Sequence, residues 1–259
     1  MTCLLWNSSG NCENFNELKG HKNAILDVCW SQDSDFVVSA SADQYLGWWD
    51  ANTGSRIKRF QGHKGIVNAV DTCAGNPKLV ISGSDDCTAR LWDARTRGDV
   101  GSLEHRFQVT AVSYGTDGNN VYSAGIDGLI TAWDIRKTHQ KTMSMKGHSD
   151  TITCLSIHPK GTHLLSNSMD GTMKTWDIRP FISDTNKRHC KTFRGGTHNA
   201  EKGLLNCAWN FDGSMVTGGS ADKIVHIWDE LTTEEVSRSC VPSIFYNNTM
   251  AYIFVITIL

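Results

Sequence analysis

Residues 86–93, Asp86-Cys87-Thr88-Ala89-Arg90-Leu91-Trp92-Asp93, decide the fold, because an aspartate six residues before a Trp-Asp pair recurs along the chain. The Trp-Asp pairs end at Asp50, Asp93, Asp134, Asp177 and Asp229, at spacings of 43, 41, 43 and 52 residues. The preceding aspartates keep this phase at Asp43, Asp86, Asp127, Asp170 and Asp222. A repeat of about 40 residues is the length of one four-stranded propeller blade.

A histidine near the start of each unit is the third marker of the repeat. Gly-His occurs at Gly20-His21, Gly62-His63 and Gly147-His148, and the same place is held by His105 and, within an expanded loop, by His198. Trp6-Asn7 holds the Trp-Asp position of a truncated first repeat, since Asn7 lies 43 residues before Asp50. We therefore predict an all-β propeller over residues 1–240, with five complete repeats and residues 1–16 as the remnant of a first repeat.

The repeated polar residues are predicted to form one buried hydrogen-bonded network in each blade. An indole N–H, an imidazole and a carboxylate can satisfy one another through a serine of the second strand, with Ser39 or Ser41, Ser82 or Ser84, Ser123, and Ser166 or Ser168 as candidates. The last unit offers only Thr217 or Ser220. The predicted networks contain His21, Asp43, Trp49, His63, Asp86, Trp92, His105, Asp127, Trp133, His148, Asp170, Trp176, His198, Asp222 and Trp228.

Serine, histidine and aspartate together also suggest a catalytic triad as the alternative to a structural network. A catalytic site is unique, whereas this set is copied five times, which favours the structural interpretation. The chain has no phosphate-binding Gly-x-x-x-x-Gly-Lys loop, no His-Glu-x-x-His and no Gly-x-Ser-x-Gly elbow. We therefore expect no catalytic residues, no metal site and no cofactor.

Composition indicates a globular chain in a reducing compartment. Of the 259 residues 39% are apolar, and the formal net charge of -2 gives no general attraction for nucleic acid. The nine cysteines include no Cys-x-x-Cys pair and mostly lie in apolar strands, which favours reduced thiols over metal ligands or disulfides. The first residues lack the charged and apolar regions of a signal peptide, so we expect none.

The repeat marks and several longer stretches resemble the WD-repeat (WD40) family, in particular its branch in the U5 small nuclear ribonucleoprotein of the spliceosome. The specific stretches are residues 165–170 followed by 176–181, the loop 195–202 leading into 204–209, and residues 108–112 followed by 123–127. The resemblance covers about residues 1–238. It implies a WD40 propeller that is an incomplete seven-bladed ring.

The same resemblance implies a function that spacing and composition do not give. It implies a non-catalytic scaffold for protein binding that acts in pre-mRNA splicing, in the nucleus, with the cytoplasm as an alternative location. The implied partners are proteins of the spliceosomal U5 particle, including its large scaffold protein. We expect contact with RNA only inside that complex, no membrane association and no small-molecule substrate.

Residues 241–259 lie outside the repeat pattern and form an uncharged, largely apolar tail, Val241 to Leu259. Three interpretations are open. The tail is translated intron sequence or a faulty gene model, a membrane anchor, or an extra strand or helix docked on the propeller. The apolar run of about ten residues disfavours the anchor, because a spanning helix needs roughly 20.

Four residues are candidates for partner binding. Trp-Asp-x-Arg occurs three times, ending at Arg95, Arg136 and Arg179, and resembles the motif by which substrate receptors of cullin-type ubiquitin ligases dock their adaptor. This receptor function is the alternative to the splicing scaffold, although such an arginine often pairs with a nearby aspartate. Trp48 either packs against the adjacent blade or is exposed to a partner. We expect the loops at the five histidines and the turns at the five aspartates to line one binding face.

Overall fold

The computed structural model describes residues 1–6, 13–137, 140–180, 188–197 and 203–240. The described residues form 22 β-strands and no helix, which confirms the predicted all-β class. No helix in these ranges is long and apolar enough to cross a membrane. The tail after residue 240, like His198, lies outside the described residues.

The strands belong to two compact units, residues 1–109 and 110–240, which are described separately. The first unit opens with a two-stranded sheet of β1 (Thr2–Trp6) and β2 (Asn14–Lys19). Two four-stranded sheets follow. Sheet I contains β3 (Ile25–Trp30), β4 (Phe36–Ser41), β5 (Tyr45–Asp50) and β6 (Arg56–Gln61). Sheet II contains β7 (Val67–Cys73), β8 (Asn76–Ser84), β9 (Thr88–Asp93) and β10 (Asp99–Glu104).

The second unit contains three further four-stranded sheets. Sheet III contains β11 (Val109–Tyr114), β12 (Asn120–Gly125), β13 (Leu129–Asp134) and β14 (Gln140–Lys146). Sheet IV contains β15 (Ile152–Ile157), β16 (His163–Ser168), β17 (Thr172–Asp177) and β18 (His189–Arg194). Sheet V contains β19 (Cys207–Trp209), β20 (Met215–Gly219), β21 (Ile224–Asp229) and β22 (Glu235–Cys240).

Each four-stranded sheet is an antiparallel meander in which sequence neighbours pair in order, as in a propeller blade. The predicted remnant, residues 1–16, contains β1 and part of β2. This pair repeats the third and fourth strands of a blade, because the register shifts just before Trp6 as it does just before Trp49. The seven-bladed ring stays a prediction.

Burial falls from the inner strands of a blade to its outer strand. In sheet I the second strand is almost wholly buried, whereas β6 is mostly exposed and buries Phe60 at 2% exposure. The outer strands of sheets II, III and IV repeat this pattern with one buried apolar residue each, namely Leu103, Met145 and Phe193. In these four blades the outer strand thus pairs through its backbone and buries one apolar side chain.

The side chain of Trp48 lies in the core between sheets I and II. It is 2% exposed and its ring lies 6.0 Å from that of Phe60, in a cluster that also contains Val70, Val80 and Trp92. The prediction that Trp48 could be an exposed partner anchor is therefore wrong. Its packing against the neighbouring blade is the other arrangement that the sequence left open.

Neighbouring sheets of one unit are also joined by side chains that bind the next sheet's backbone. Asp27 Oδ2 accepts the Val70 N–H at 2.9 Å, and Thr72 Oγ1 donates to the Trp30 carbonyl at 2.9 Å. In the second unit, Asn167 Nδ2 donates to the Leu205 carbonyl at 3.0 Å. Such bonds satisfy the backbone groups that inner strands leave without a partner within their own sheet.

We expect Asp27 to make stability fall as pH rises. Burial raises the pKa of Asp27 to about 7, whereas an unfolded aspartate has a pKa of about 3.9. The folded state therefore favours the protonated form, so the contribution is complete below pH about 4 and is lost as pH rises through about 7. Asp27→Asn should remove this slope, at most about 1.4 kcal/mol per pH unit, in urea unfolding followed across that range.

The exposed Asp35 provides the control, and Asp35→Asn should keep the wild-type slope. An Asp27→Asn variant with the same pH dependence as the wild type would show that this carboxyl is ionised throughout the range.

Candidate functional site

The predicted polar networks form completely in three blades. In sheet I, His21 Nδ1 lies 2.9 Å from Asp43 Oδ2, His21 Nε2 lies 2.7 Å from Ser39 Oγ, and Trp49 Nε1 donates to the same hydroxyl at 2.8 Å. Sheets II and IV repeat these distances. The residues of those two networks are His63, Asp86, Ser82, Trp92, His148, Asp170, Ser166 and Trp176.

The chemistry of the four groups fixes which of them donates and which accepts in each hydrogen bond of the network. A carboxylate can only accept, so His21 Nδ1–H donates to Asp43 and Nε2 accepts the Ser39 hydroxyl proton. Ser39 in turn accepts the indole N–H of Trp49. The serine is thus donor and acceptor at once, and each of the four side chains has a partner.

The order Ser–His–Asp is that of a catalytic triad, but substrate has no access to the serine. Ser39, Ser82 and Ser166 are each 0% exposed, and each hydroxyl already accepts an indole N–H. A nucleophile must reach a substrate atom, so these three sets cannot act as triads in this conformation. In the described part of the chain no group of three or more His, Cys, Asp or Glu side chains is placed to hold a metal ion.

The electrostatics of the networks favour an ionised aspartate and, in sheet II, a neutral histidine. Burial by itself raises the pKa of Asp86, but hydrogen bonds from Thr88, the Lys64 N–H and His63 lower it to about 2. The pKa of Asp170 is likewise held well below its usual range, against the effect of burial, by His148 and Thr172. Burial lowers the pKa of His63, so its neutral form is favoured.

The residues predicted for the network of the third blade belong to both units. Trp133 Nε1 donates to Ser123 Oγ at 2.8 Å, as in the other blades. Asp127 is exposed and accepts the Leu129 N–H at 3.1 Å. His105 belongs to the first unit, where its backbone N–H donates to the Cys87 carbonyl at 2.9 Å.

The fifth blade departs from the prediction. Its second strand carries Gly218 where sheet I carries Ser39, because each lies two residues after the partner of the tryptophan. A Cβ on Gly218 would lie 2.6 Å from Met173 Sδ, so a serine does not fit there without a shift. Neither predicted substitute replaces it, since Thr217 donates to the Ala208 carbonyl and Ser220 accepts the Thr197 N–H.

A different network stands in its place. Trp228 Nε1 donates to the Arg194 carbonyl at 3.2 Å, and Asp222 Oδ2 contacts His226 Nε2 at 3.2 Å. His226 is 2% exposed, and its Nδ1 lies 2.7 Å from Glu235 Oε1. Asp222 therefore has a histidine partner that the sequence analysis missed. The Gly218-Gly219 pair in place of a serine was the signal for it.

The three arginines of the Trp-Asp-x-Arg motifs bind the aspartates of their own blades. Arg95 donates to both carboxylate oxygens of Asp93, at 2.9 and 2.7 Å, and Arg136 and Arg179 form the same fork with Asp134 and Asp177. About 60% of each arginine side chain is exposed. The pairs orient the guanidinium groups, and partner binding by them stays a prediction.

Several large apolar side chains are exposed in the loops, and the sequence analysis did not single them out. Ile66 and Phe107 follow His63 and His105 and are 38% and 43% exposed. Phe211 lies in the turn after β19 and Leu231 in the turn after β21, and they are 77% and 78% exposed. Apolar groups of this size are a usual component of protein-binding surfaces.

We expect Ser166→Ala to lower the free energy of unfolding by about 1–3 kcal/mol. The substitution leaves the Trp176 N–H without an acceptor and His148 Nε2 without a donor, both in a buried site. Urea unfolding followed by tryptophan fluorescence measures the change. Thr217→Ala is the matched control in sheet V, because its hydroxyl is not part of such a network, and a change within about 0.5 kcal/mol is expected. Equal losses in the two variants would contradict the structural role of the serine.

We also expect Asp86 to make stability fall in acid. The folded pKa of about 2 lies below the unfolded value of about 3.9, so the contribution is complete above pH about 4 and is lost as pH falls through about 2. Asp86→Asn should flatten the pH dependence of urea unfolding in this range. If Asp86→Asn and the exposed-site variant Asp35→Asn lose stability in parallel with the wild type, the carboxylate does not carry this contribution.

Comparison with known proteins agrees with this geometry. The family model for the WD domain, G-beta repeat, matches residues 12–50, 54–93, 99–134, 139–177 and 188–229. The chain is 46% identical over 225 residues to the pre-mRNA-splicing factor cwf17 of Schizosaccharomyces pombe, covering 87% of this chain and 65% of the relative. It is 45% identical to the U5 small nuclear ribonucleoprotein 40 kDa protein of Dictyostelium discoideum, covering 92% and 66%.

The human U5 small nuclear ribonucleoprotein 40 kDa protein is 42% identical over 226 residues, covering 87% of this chain and 62% of the relative. The chain thus spans about two thirds or slightly less of the length of these curated relatives. Each of the five matched repeats contains the first three strands of one four-stranded sheet and the strand that precedes them. Three of these sheets carry the complete His–Asp–Ser–Trp network. The chain therefore belongs to the WD-domain, G-beta repeat (WD40) family.

Proposed function

We propose that the chain is a non-catalytic scaffold of the U5 small nuclear ribonucleoprotein, acting in pre-mRNA splicing in the nucleus. The observation that carries the proposal is its 42–46% identity, over 87–92% of the chain, to proteins named as U5 components or as a splicing factor. Its partners would be other U5 proteins, including the large scaffold protein of that particle. Contact with RNA would occur within the complex, without a small-molecule substrate.

The geometry supports a role in binding rather than in catalysis. The serine, histidine and aspartate side chains that could do chemistry are used to hold the blades, and their hydroxyls are buried. What the described surface offers instead is a set of loops with oriented arginines and exposed apolar side chains, among them Phe107 and Phe211. A rigid framework with variable loops is suited to contact several proteins at once.

The alternative, a substrate receptor of a cullin-type ubiquitin ligase, depends on Arg95, Arg136 and Arg179. Each of these arginines forms a bidentate pair with an aspartate of its own blade. This pairing gives the arginines a structural role that requires no adaptor protein. No other contact among the described residues favours the alternative over the splicing scaffold.

Affinity purification of the tagged full chain from nuclear extract tests the proposal. We expect U5 proteins and the U5 RNA to be enriched at least about tenfold over the tag alone, as for a specific and stable interface. Val80→Asp is the control, because Val80 is 0% exposed in the core of sheets I and II and a buried charge there should unfold the first unit. Absence of U5 components from the wild-type sample, or equal recovery by Val80→Asp, would contradict binding through folded blades.

A further inference from the structure

A small cationic cleft lies at one end of sheet I, in the first unit. It has a volume of about 90 Å³. Its lining includes Gly20, Lys22, Tyr45, Gly47, Arg56 and Arg59. This volume is well below the roughly 300–1,000 Å³ of pockets that enclose small molecules, so it suits one side-chain group of a larger partner.

At the place of this cleft, two of the five sheets carry an ion pair between the third and the outer strand. Two residues before the tryptophan of its Trp-Asp pair, sheet II carries Arg90, which pairs with Asp99 of its outer strand at 3.0 Å. The register places Asp99 opposite Trp92, just as it places Arg56 opposite Trp49. Sheet V has the corresponding pair of His226 and Glu235 at 2.7 Å.

Sheet I has neither member of that pair, and sheets III and IV also lack its acid, with Lys141 and His189 opposite their tryptophans. Gly47 leaves out the cation of the third strand, and Arg56 reverses the charge of the outer strand. An ion pair inside the blade is thereby replaced by an opening with two arginines at its side. Within the described residues, neither Arg56 nor Arg59 lies within 4.0 Å of a carboxylate, and Lys22 has no such partner either.

The two guanidinium groups are nevertheless held in place. Arg59 stacks on the ring of Tyr45, with its central carbon 3.3 Å from the ring centroid. Arg56 Nη1 lies 3.4 Å from the Gly20 carbonyl, and its guanidinium carbon lies 5.8 Å from the Trp49 ring. Stacking orients a guanidinium while leaving its edge N–H groups available for a planar acceptor.

The acid that lines the cleft does not pair with the arginines. Asp43 also borders the cleft, but its Oδ2 accepts the Lys22 N–H at 2.9 Å and contacts His21 Nδ1 at the same distance. Despite the opposing effect of burial, these bonds lower the pKa of Asp43, which keeps its carboxylate ionised and committed to the network.

We propose that Lys22, Arg56 and Arg59 form a docking site for an acidic peptide segment of a protein partner, with a glutamate or aspartate carboxylate bound at the arginine edges. This inference rests on the proposed scaffold function, because it names the chemistry of one partner. A carboxylate is planar and matches the guanidinium fork, and each such contact is a charge-assisted hydrogen bond.

Single-stranded RNA fits the site less well. Recognition of unpaired bases uses exposed aromatic faces as stacking platforms, and Arg59 already covers a face of Tyr45. The small volume also leaves no room for a base beside the arginines. The net charge of -2 gives the chain no general attraction for a phosphate backbone.

Fluorescence anisotropy with a labelled glutamate-rich peptide and the full chain tests the docking site. We expect the peptide to bind, its glutamine counterpart not to bind, and the double variant Arg56→Ala/Arg59→Ala to bind at least about tenfold more weakly. Arg97→Ala is the matched control, because Arg97 is an exposed arginine of the same unit outside the cleft, and it should bind as the wild type does. Since the alanine variant could unfold, Arg56→Gln/Arg59→Gln keeps most of each side chain and should show the same loss.

Three results would overturn the inference: equal loss in Arg97→Ala, no loss in either double variant, or tighter binding of an oligouridylate that displaces the peptide. The purification from nuclear extract separates this failure from failure of the proposed function. If U5 components co-purify and the peptide does not bind, the docking site is wrong and the scaffold function stands. If the peptide binds and no U5 component co-purifies, the scaffold function is wrong.

Discussion

The buried serine hydroxyl at the centre of three blades is the contact on which their arrangement depends. It accepts an indole N–H from the third strand and donates to an imidazole that precedes the first strand, and the imidazole in turn binds a carboxylate in the turn between the second and third strands. One hydroxyl thus connects the loop at the start of a blade to the two strands at its centre. Each of these groups would be costly to bury without a partner, so the members of the network require one another.

This requirement explains why the same residue types recur while the surrounding sequence varies. A blade that loses the serine must find another partner for its tryptophan, its aspartate and its histidine. Sheet V shows one such solution, in which a backbone carbonyl accepts from Trp228 and His226 binds Asp222 from the third strand. The fold therefore needs the polar groups to be satisfied, and it accepts more than one set of partners.

The positions of histidine, aspartate and tryptophan, and hence the blades, could be predicted because each lies at a fixed place in a periodic chain. The choice between Ser39 and Ser41 could not, since residues two apart on a strand share a face, and both are 0% exposed. Trp48 was ambiguous for a related reason: alternation gives the face of a side chain but not what covers that face. The cleft beside Gly47 depends on the register between the third and outer strands, which is a property of two strands together and is not visible in either one.

The outer strands are more exposed to solvent than the second strands of the same blades. Each of those in sheets I to IV pairs through its backbone and buries one apolar side chain, while most of its remaining residues are exposed and the others are half-buried. Substitutions at those solvent-facing positions change neither the polar networks nor the cores. These outer strands can therefore diverge from one descendant to another while the inner strands of each blade are retained, so new binding specificities can arise there without loss of the ancestral architecture.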